Sequence, residues 1–163
     1  MAKTVQKEQM ATLDKTDLAI LKLLQENARI TIKEISEKVH LSTTPVHERI
    51  KRMEESGVIK QYVTVLNASK VGKGLMVICY VSLRQHSKNA GEKFIKGILE
   101  MNEVLECHHI TGQDCYLVKI AATSIPHLEQ VIGRFAEFTH TVTTIVLSSP
   151  VQNRVIKPSG DLD

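Results

Sequence analysis

Apolar residues near the start of the chain recur with a helical period. The spacing of Leu18, Leu21 and Leu24 at intervals of three residues indicates an amphipathic helix. Asp14 and Asp17 fall in its first turn, where carboxylates complement the helix dipole. Asn27 is a plausible stop, so we predict a first helix that ends near this residue.

Two further helices follow in the same densely charged region. Thr31 is a candidate N-cap, and Glu34 three residues later completes a capping box. The next helix is predicted to start between Ser42 and Thr44, because Pro45 is compatible only with a first helical turn. The pattern thus predicts three short helices, with a tight turn before the third.

The third predicted helix has one apolar face. Val46, Ile50 and Met53 recur at i, i+4 and i+7 and are expected to be buried. After this helix, residues 58–66 read as a β-hairpin or a paired strand, which would form a wing. We therefore predict a winged helix-turn-helix domain over residues 10–66.

The second half of the chain alternates between strand and helix patterns. Strands are predicted at Leu75–Leu83, Val104–Thr111, Cys115–Ala122 and Val142–Val151. One helix is expected after a start at Ser87 or Asn89, with Leu99 on its apolar face, and another after Ser124 as N-cap. The order βαββαβ is that of a ferredoxin-like sandwich, four antiparallel strands with both helices on one face.

These patterns predict an α+β protein with two domains. The ferredoxin-like domain is placed at residues 75–153. Residues 67–74 have no firm period and contain two glycines, so they are expected to form a linker. Residues 154–163 are expected to form a tail.

The first strand of the second domain is apolar on both of its faces. Met76, Ile78 and Tyr80 alternate with an equally apolar set. A sheet face without helices is usually polar where it meets water, so an apolar one is expected to be covered by another subunit. The pattern therefore predicts a dimer interface that contains Met76, Ile78 and Tyr80.

Composition narrows the class of protein without deciding its partner. The net charge is +3 over 163 residues, so a nucleic-acid interface must depend on where the charges lie. Three cysteines cannot all pair within one chain, which favours a reduced, cytoplasmic protein. Residues 1–10 lack an apolar signal core, and the longest apolar run, Leu75–Val81, is too short to span a bilayer. We expect no membrane partner and no cofactor.

The outer face of the third helix carries side chains suited to DNA. In a helix-turn-helix the early residues of this helix meet base edges in the major groove. Hydroxyls and His suit base edges and phosphates, whereas Lys and Arg suit the backbone. The predicted contacts with double-stranded DNA are Ser42, Thr43, Thr44, His47, Glu48, Lys51, Arg52 and Lys60. The alternatives are a charged face that is merely solvated, or a domain that has lost DNA binding; Lys51 and Arg52 argue against the second.

Several segments resemble the Lrp/AsnC (feast/famine, leucine-responsive regulator) family of transcriptional regulators. They are LDKTDLAIL at 13–21, Asn27-Ala-Arg29, Leu41-Ser42, Arg49-Ile50, Gly57-Val58-Ile59 and TGQDCYL at 111–117. The resemblance extends over nearly the whole chain. It implies dimers that form through the sheet faces, an octamer of four dimers, and an effector, often an amino acid, bound between dimers at the hairpin turn.

The predicted hairpin turn has two interpretations. The simpler is a turn that needs a positive φ at Gly112 and tolerates an aspartate. The other, which the resemblance supports, is that backbone N–H groups and Asp114 hold the carboxylate and the ammonium group of an amino acid. The candidate effector-binding residues are Gly112, Gln113, Asp114, Tyr116, Thr144 and Ser148.

A metal-binding protein and an enzyme are the competing classes. Cys107, His108 and His109, with Cys115 and His140, are potential ligands, but strand alternation puts His108 on the side opposite to its neighbours, so they cannot converge on one zinc ion. A ferredoxin-like domain can act as a small-molecule-binding enzyme. The sequence has no nucleotide-binding glycine loop, nucleophile elbow or paired-carboxylate motif. We therefore predict a regulator without a metal site.

Overall fold

The chain forms two compact units, which are described separately. The structure is a computed structural model that describes residues 12–84, 88–136 and 139–157. The helical unit comprises the chain up to Thr64 together with the segment from Val151 onward, and the sheet unit comprises Val65–Pro150. Ser87, residues 10 and 11 of the predicted first domain, and residues 158–163 of the predicted tail lie outside the described residues.

Three helices build the helical unit, at the places where capping signals occur. They are α1 Lys15–Glu26, α2 Ile32–Val39 and α3 Thr43–Glu55. Thr31 and Glu34 form the predicted capping box at the start of α2, with each side chain accepting from the other residue's backbone N–H. Asp14 caps α1 in the same way with Asp17, so the backbone N–H groups of both residues are hydrogen-bonded.

The core of the helical unit is aliphatic. All three helices contribute residues that are at most 1% exposed, namely Ile20, Ile35, Val46 and Met53. Between α2 and α3 the backbone of His40 takes the left-handed conformation, with φ of 55°, and this produces the tight turn. The predicted helix-turn-helix is therefore present, with the apolar face of α3 packed inward.

The predicted strand after α3 is wrong. Residues 58–67, all of which the structure describes, contain no strand. This segment is held against α3 by two bonds: the N–H of Ile59 donates to the carbonyl of Met53 at 3.0 Å, and the hydroxyl of Tyr62 donates to Glu54 at 2.9 Å. The alternating apolar side chains of Val63 and Val65 are exposed, because no strand among the residues that the structure describes pairs with them.

The helical unit also contains a piece of the C-terminal segment. The side-chain amide of Gln25, at the end of α1, donates to the carbonyl of Ile156 at 3.1 Å. The carbonyl oxygen of the same amide accepts from the N–H of Ile156 at 2.8 Å. This pair of bonds joins α1 to residues that follow the sheet unit in sequence.

The sheet unit has the predicted βαββαβ order. Its elements are β1 Leu75–Leu83, α4 Lys88–Leu99, β2 Val104–His109, β3 Tyr116–Ala122, α5 Ile125–Ala136 and β4 Thr139–Ile145. The strands are antiparallel in the order β2-β3-β1-β4. This is a ferredoxin-like sheet, as predicted.

Three details of the sheet unit differ from the pattern. The last strand was expected at 142–151 but ends at Ile145, because Ile145 is the last residue of this strand that pairs with β1. The N–H of Val146 makes one more bond, to the carbonyl of Met76. Leu99 was expected to face the core but is 80% exposed, since Phe94 and Ile98 already fill that face of α4. A 3₁₀ turn, Ala68–Val71, occupies part of the predicted linker.

The sheet has one covered face and one uncovered face. Val77, Cys79 and Val81 of β1 are fully buried against Phe94 of α4 and Phe135 of α5. Met76, Ile78 and Tyr80 alternate with them and lie on the opposite, helix-free face, where they are half-buried in the single chain. Within the described ranges no helix has the length and apolarity needed to cross a bilayer.

Candidate functional site

The outer face of α3 is the first candidate site. Its inner residues are buried, and the residues expected to meet DNA lie on the other side of the helix or beside it. All eight predicted DNA contacts are exposed: Ser42, Thr43, Thr44, His47, Glu48, Lys51, Arg52 and Lys60. A face with hydroxyls, a His and cations, and with no apolar patch, suits a polar and charged partner.

Arg52 and Arg49 are bound to carboxylates of α1. Nη1 of Arg49 donates to Asp14 at 2.6 Å and to Asp17 at 2.8 Å. Nη2 of Arg52 donates to both oxygens of Asp17, at 2.7 and 2.9 Å. The Asp17 side chain is only 1% exposed, so these bonds compensate a charge that has been removed from water.

The same cluster shifts the pKa values of Asp14 and Arg49. The pKa of Asp14 is lowered from its ordinary value, first by the backbone N–H of Asp17 and then by the Arg49 guanidinium. The pKa of Arg49 is raised by its bonds to Asp14 and Asp17. The charged forms of Asp14 and Arg49 are therefore stabilised, and the cluster fixes α3 against the start of α1.

Lys51, next to Arg52, is in a different situation. Its ammonium group lies 3.7 Å from Glu55, one helical turn later, and both side chains are about two-thirds exposed. Such exposed i,i+4 pairs contribute only about 0.3–0.5 kcal/mol, so a phosphate can replace Glu55 as the partner. The sequence did not distinguish these two cations, because Asp17 lies 35 residues away from Arg52.

Lys60 lies between the two residues that bind the segment after α3 to this helix. Ile59 and Tyr62 make the bonds to α3 described above, so Lys60 projects from a segment that is held near the helix. Burial, together with the hydrogen bond to Glu54, raises the pKa of Tyr62 to about 12. Tyr62 is therefore a neutral donor to Glu54 near neutral pH.

The turn between β2 and β3 is the second candidate site. Gly112 has a φ of 128°, the positive value that the sequence predicted. The N–H of Ile110 donates to the carbonyl of Cys115 at 3.0 Å, and the N–H of Cys115 donates to the carbonyl of Val81 on β1 at 2.9 Å. The turn is thus closed and joined to β1.

Asp114 has a partner that sequence reasoning missed. The hydroxyl of Ser82, on β1, donates to Oδ1 of Asp114 at 2.6 Å. Ser82 belongs to the helix-free set of β1, two residues after Tyr80, so the Asp114 carboxylate lies toward that face. The two residues are 32 apart in sequence, and only the sheet topology brings them together.

The other predicted effector residues lie elsewhere in the single chain. Tyr116 packs against Phe94 of α4 with the two rings tilted and their centroids 4.9 Å apart, on the face that carries the helices. Thr144 pairs with Ile78, four residues before Ser82 on β1, which is about 13 Å away at roughly 3.3 Å per residue. Ser148 lies beyond the end of β4. One chain therefore brings together Gly112, Gln113 and Asp114 but not Tyr116, Thr144 or Ser148.

The potential metal ligands of β2 point in two directions. His109 packs against Tyr116 with the two rings tilted and their centroids 5.1 Å apart, whereas Nε2 of His108 lies 3.2 Å from Glu106 on the helix-free face. Glu106 also accepts from Lys119 at 2.7 Å. Among the described residues no group of three or more His, Cys, Asp or Glu side chains is placed to hold a metal ion.

Comparison with protein families assigns both halves of the chain. Residues 13–60 match a winged helix-turn-helix DNA-binding domain, and residues 76–156 match the Lrp/AsnC ligand-binding domain. The chain is 32% identical over 158 residues to the leucine-responsive regulatory protein of Haemophilus influenzae, covering 94% of this chain and 95% of that protein. It is 34% identical over 137 residues to the transcriptional regulator LrpC of Bacillus subtilis, covering 83% of this chain and 92% of LrpC.

Solved structures give the same assignment. A transcriptional regulator of Neisseria meningitidis in complex with L-Met has a TM-score of 0.84 and 33% identity, covering 89% of this chain and 96% of that one. The structure of Bacillus subtilis LrpC has a TM-score of 0.80 and 29% identity, covering 85% of this chain and 97% of that one. A helix-turn-helix with an exposed α3 and a ferredoxin-like domain with a structured turn are thus the two parts of a DNA-binding regulator, and the chain belongs to the Lrp/AsnC family of transcriptional regulators.

Proposed function

We propose that the outer face of α3 reads the major groove of DNA, and that a free amino acid bound at the β2–β3 turn controls this activity. The observation that carries the first part is the exposure of every predicted contact on α3 while its apolar face is buried. The second part is supported by the closed turn with its oriented Asp114. We infer from both parts that the protein acts in the cytoplasm and has no catalytic role.

The proposed DNA contacts divide into two classes. Thr43, Thr44 and His47 lie in the first turns of α3 and are assigned to base edges, with Ser42 at the helix start. Glu48 repels phosphate but accepts from the amino group of cytosine, so it is assigned to a base as well. Lys51 and Lys60 are assigned to phosphates. Arg52 adds positive charge beside them while bound to Asp17.

The helix-free face of the sheet is the proposed dimer interface. Met76, Ile78 and Tyr80 form an apolar strip along the centre of that face, and Val142 on the adjacent strand is 53% exposed. A second copy that covers this strip would remove it from water. Two copies present two α3 helices, so the operator is expected to be an inverted repeat with half-sites about one helical turn, or a multiple, apart.

The proposed effector site requires more than one subunit. Asp114 lies beside Ser82, whereas Thr144 pairs with Ile78 four residues earlier on β1, so a site that uses both is expected to combine a turn from one subunit with β4 from another. The relative from Neisseria meningitidis was solved with L-Met, an amino acid. We infer that the ligand binds between dimers and that four dimers form an octamer.

Selection of duplexes from a random DNA library tests the DNA-binding part. The full chain should enrich an inverted repeat with the half-site spacing given above. Thr43→Ala and His47→Ala should change the enriched sequence, and Lys51→Ala should lower affinity for all sequences alike. Enrichment of no common sequence, or an unchanged preference in the Thr43→Ala/His47→Ala double variant, would contradict the assignment.

Thermal-shift measurements with the twenty free L-amino acids test the effector part. A ligand that binds only the folded protein must raise its melting temperature. At least one amino acid should do so, and Asp114→Asn should abolish the shift. If none of the twenty changes the melting temperature or the DNA affinity, the amino-acid effector is excluded.

A further inference from the structure

The bond between Ser82 and Asp114 is not needed to close the β2–β3 turn. Two backbone bonds already do this, one from Ile110 to Cys115 and one from Cys115 to Val81. The Ser82 hydroxyl donates to the side chain of Asp114, at 2.6 Å. A contact this short is in the range of about 2.5–2.7 Å expected when a hydroxyl donates to an ionised carboxylate.

The geometry of β1 explains why Ser82 is the residue that reaches Asp114. Val81 and Leu83, its neighbours, are buried in the helix-covered core. Because side chains alternate along a strand, Ser82 must point to the helix-free face. The backbone bond from Cys115 to Val81 then brings the preceding residue, Asp114, alongside Ser82.

We propose that Ser82 is a positioning residue for the effector. Its hydroxyl donates a hydrogen bond to Oδ1 of Asp114 and holds the carboxylate in one orientation. Oδ2 is then directed to the ammonium group of a free amino acid. This inference rests on the proposed function of the turn. It narrows the ligand class to molecules whose α-amino group is unsubstituted and positively charged.

The chemistry of this arrangement separates ligands by their amino group. A carboxylate oxygen accepts hydrogen bonds and attracts a cation, so it binds a protonated amine more strongly than an amide, which has no positive charge and fewer N–H donors. N-acetyl derivatives keep the carboxylate and the side chain of an amino acid but lose the cationic group. The wild-type protein should therefore bind the free form and fail to bind the N-acetylated form of the same amino acid.

Calorimetric titration of the full-length protein tests the role of Ser82. The probes are the free L-amino acid that gives the largest thermal shift with the wild type, and its N-acetyl derivative. Ser82→Ala should weaken binding of the free amino acid about tenfold, the effect of one hydrogen bond to a charged group. Ser82→Thr, which keeps the hydroxyl, should restore the affinity to within about threefold of the wild type.

Control variants separate positioning from folding. The hydroxyl of Ser69 donates to Asn67 at 2.7 Å, away from the turn, so Ser69→Ala should leave ligand binding unchanged. DNA affinity in the absence of the amino acid should be the same for the wild type and Ser69→Ala. If Ser82→Ala fails to fold, Ser82→Cys keeps a side chain of similar size with a weaker donor and should show the same loss.

The outcomes distinguish the inference from the function on which it rests. Wild-type affinity in Ser82→Ala, with binding lost in Asp114→Asn, overturns the role of Ser82 and leaves the site intact. Equal loss in Ser82→Ala and Ser82→Thr also overturns it, because the hydroxyl would then not be the cause. Wild-type affinity in Asp114→Asn, or no binding of any free amino acid to the wild type, overturns both proposals.

Discussion

Arg52 donates two hydrogen bonds to the buried carboxylate of Asp17, at 2.7 and 2.9 Å, and so joins α3 to α1. Its neighbour Lys51 has only an exposed partner at 3.7 Å. Two adjacent cations on α3 therefore have different roles. We infer that Arg52 stabilises the position of α3, whereas Lys51 can exchange its partner for a phosphate.

Replacing each cation by alanine should separate these roles. Lys51→Ala should flatten the dependence of log affinity on log salt by about 0.9, the value for one lost phosphate contact. Arg52→Ala should change that slope little, and should lower the free energy of unfolding by about 1–2 kcal/mol because Asp17 loses a charged donor. DNA binding from 50 to 200 mM salt, with parallel urea unfolding, measures both. An equal loss of slope in the two variants would show that Arg52 also contacts phosphate.

A charge on the helix-free face should dissociate the proposed dimer. Ile78→Asp places an unpaired carboxylate in the centre of that face, at a cost of several kcal/mol if another subunit covers it. Analytical ultracentrifugation should then show a monomer where the wild type is a dimer or larger. Leu99→Asp is the control, since Leu99 is 80% exposed on a helix at the other face and should leave the dimer intact. A wild-type assembly in Ile78→Asp would contradict the interface.

Two glycines of the sheet unit should respond in opposite directions to alanine. Gly112 has a φ of 128°, so Gly112→Ala should destabilise the protein by about 1–2 kcal/mol even though the space around it is open. Gly97 lies within α4, with nothing within 4 Å of an added Cβ, so Gly97→Ala should stabilise by about 0.5–1 kcal/mol. Thermal and urea unfolding measure the difference. A neutral Gly112→Ala would show that the turn tolerates a side chain.

Glu103 should contribute to loss of stability in acid. Its backbone N–H, and then the bonds and charges of His127 and Arg134, lower the pKa of Glu103 below its ordinary value of 4.5, against the effect of burial. A carboxyl whose pKa is lower in the folded protein contributes stability above its unfolded pKa. This contribution is lost as the pH falls below 4.5 through the folded pKa.

Melting curves from pH 6 to pH 3 test this contribution. In Glu103→Gln the melting temperature should be lower than the wild type at pH 6 and should fall less steeply below pH 4.5, because the lost group no longer titrates. Glu129→Gln, on an exposed position of the same unit, should follow the wild-type curve. Parallel curves for Glu103→Gln and the wild type would rule out the contribution.

Features with local causes were predictable from the sequence. The capping box of α2 depends on Thr31 and Glu34, three residues apart, and the structure has it at the predicted place. The buried face of α3 and the positive φ of Gly112 also follow from spacing and residue type within a few positions. The βαββαβ order could be read because each of its elements has its own period.

Features that depend on distant partners were not predictable in this way. Alternation at Val63 and Val65 predicted a strand, but a strand forms only where another strand accepts its hydrogen bonds. The end of β4 is set by its partner β1 rather than by its own apolar run. The bond from Ser82 to Asp114 connects residues 32 apart, and no pattern near either residue indicates it.

The two hydrogen bonds between Gln25 and Ile156 have a consequence for the synthesis of the protein. The ribosome makes α1, α2 and α3 before the sheet unit, and these helices contain the buried residues of their own core. Ile156 is made only after the whole sheet unit has been translated. The helical unit therefore gains this contact later than the contacts among its own three helices.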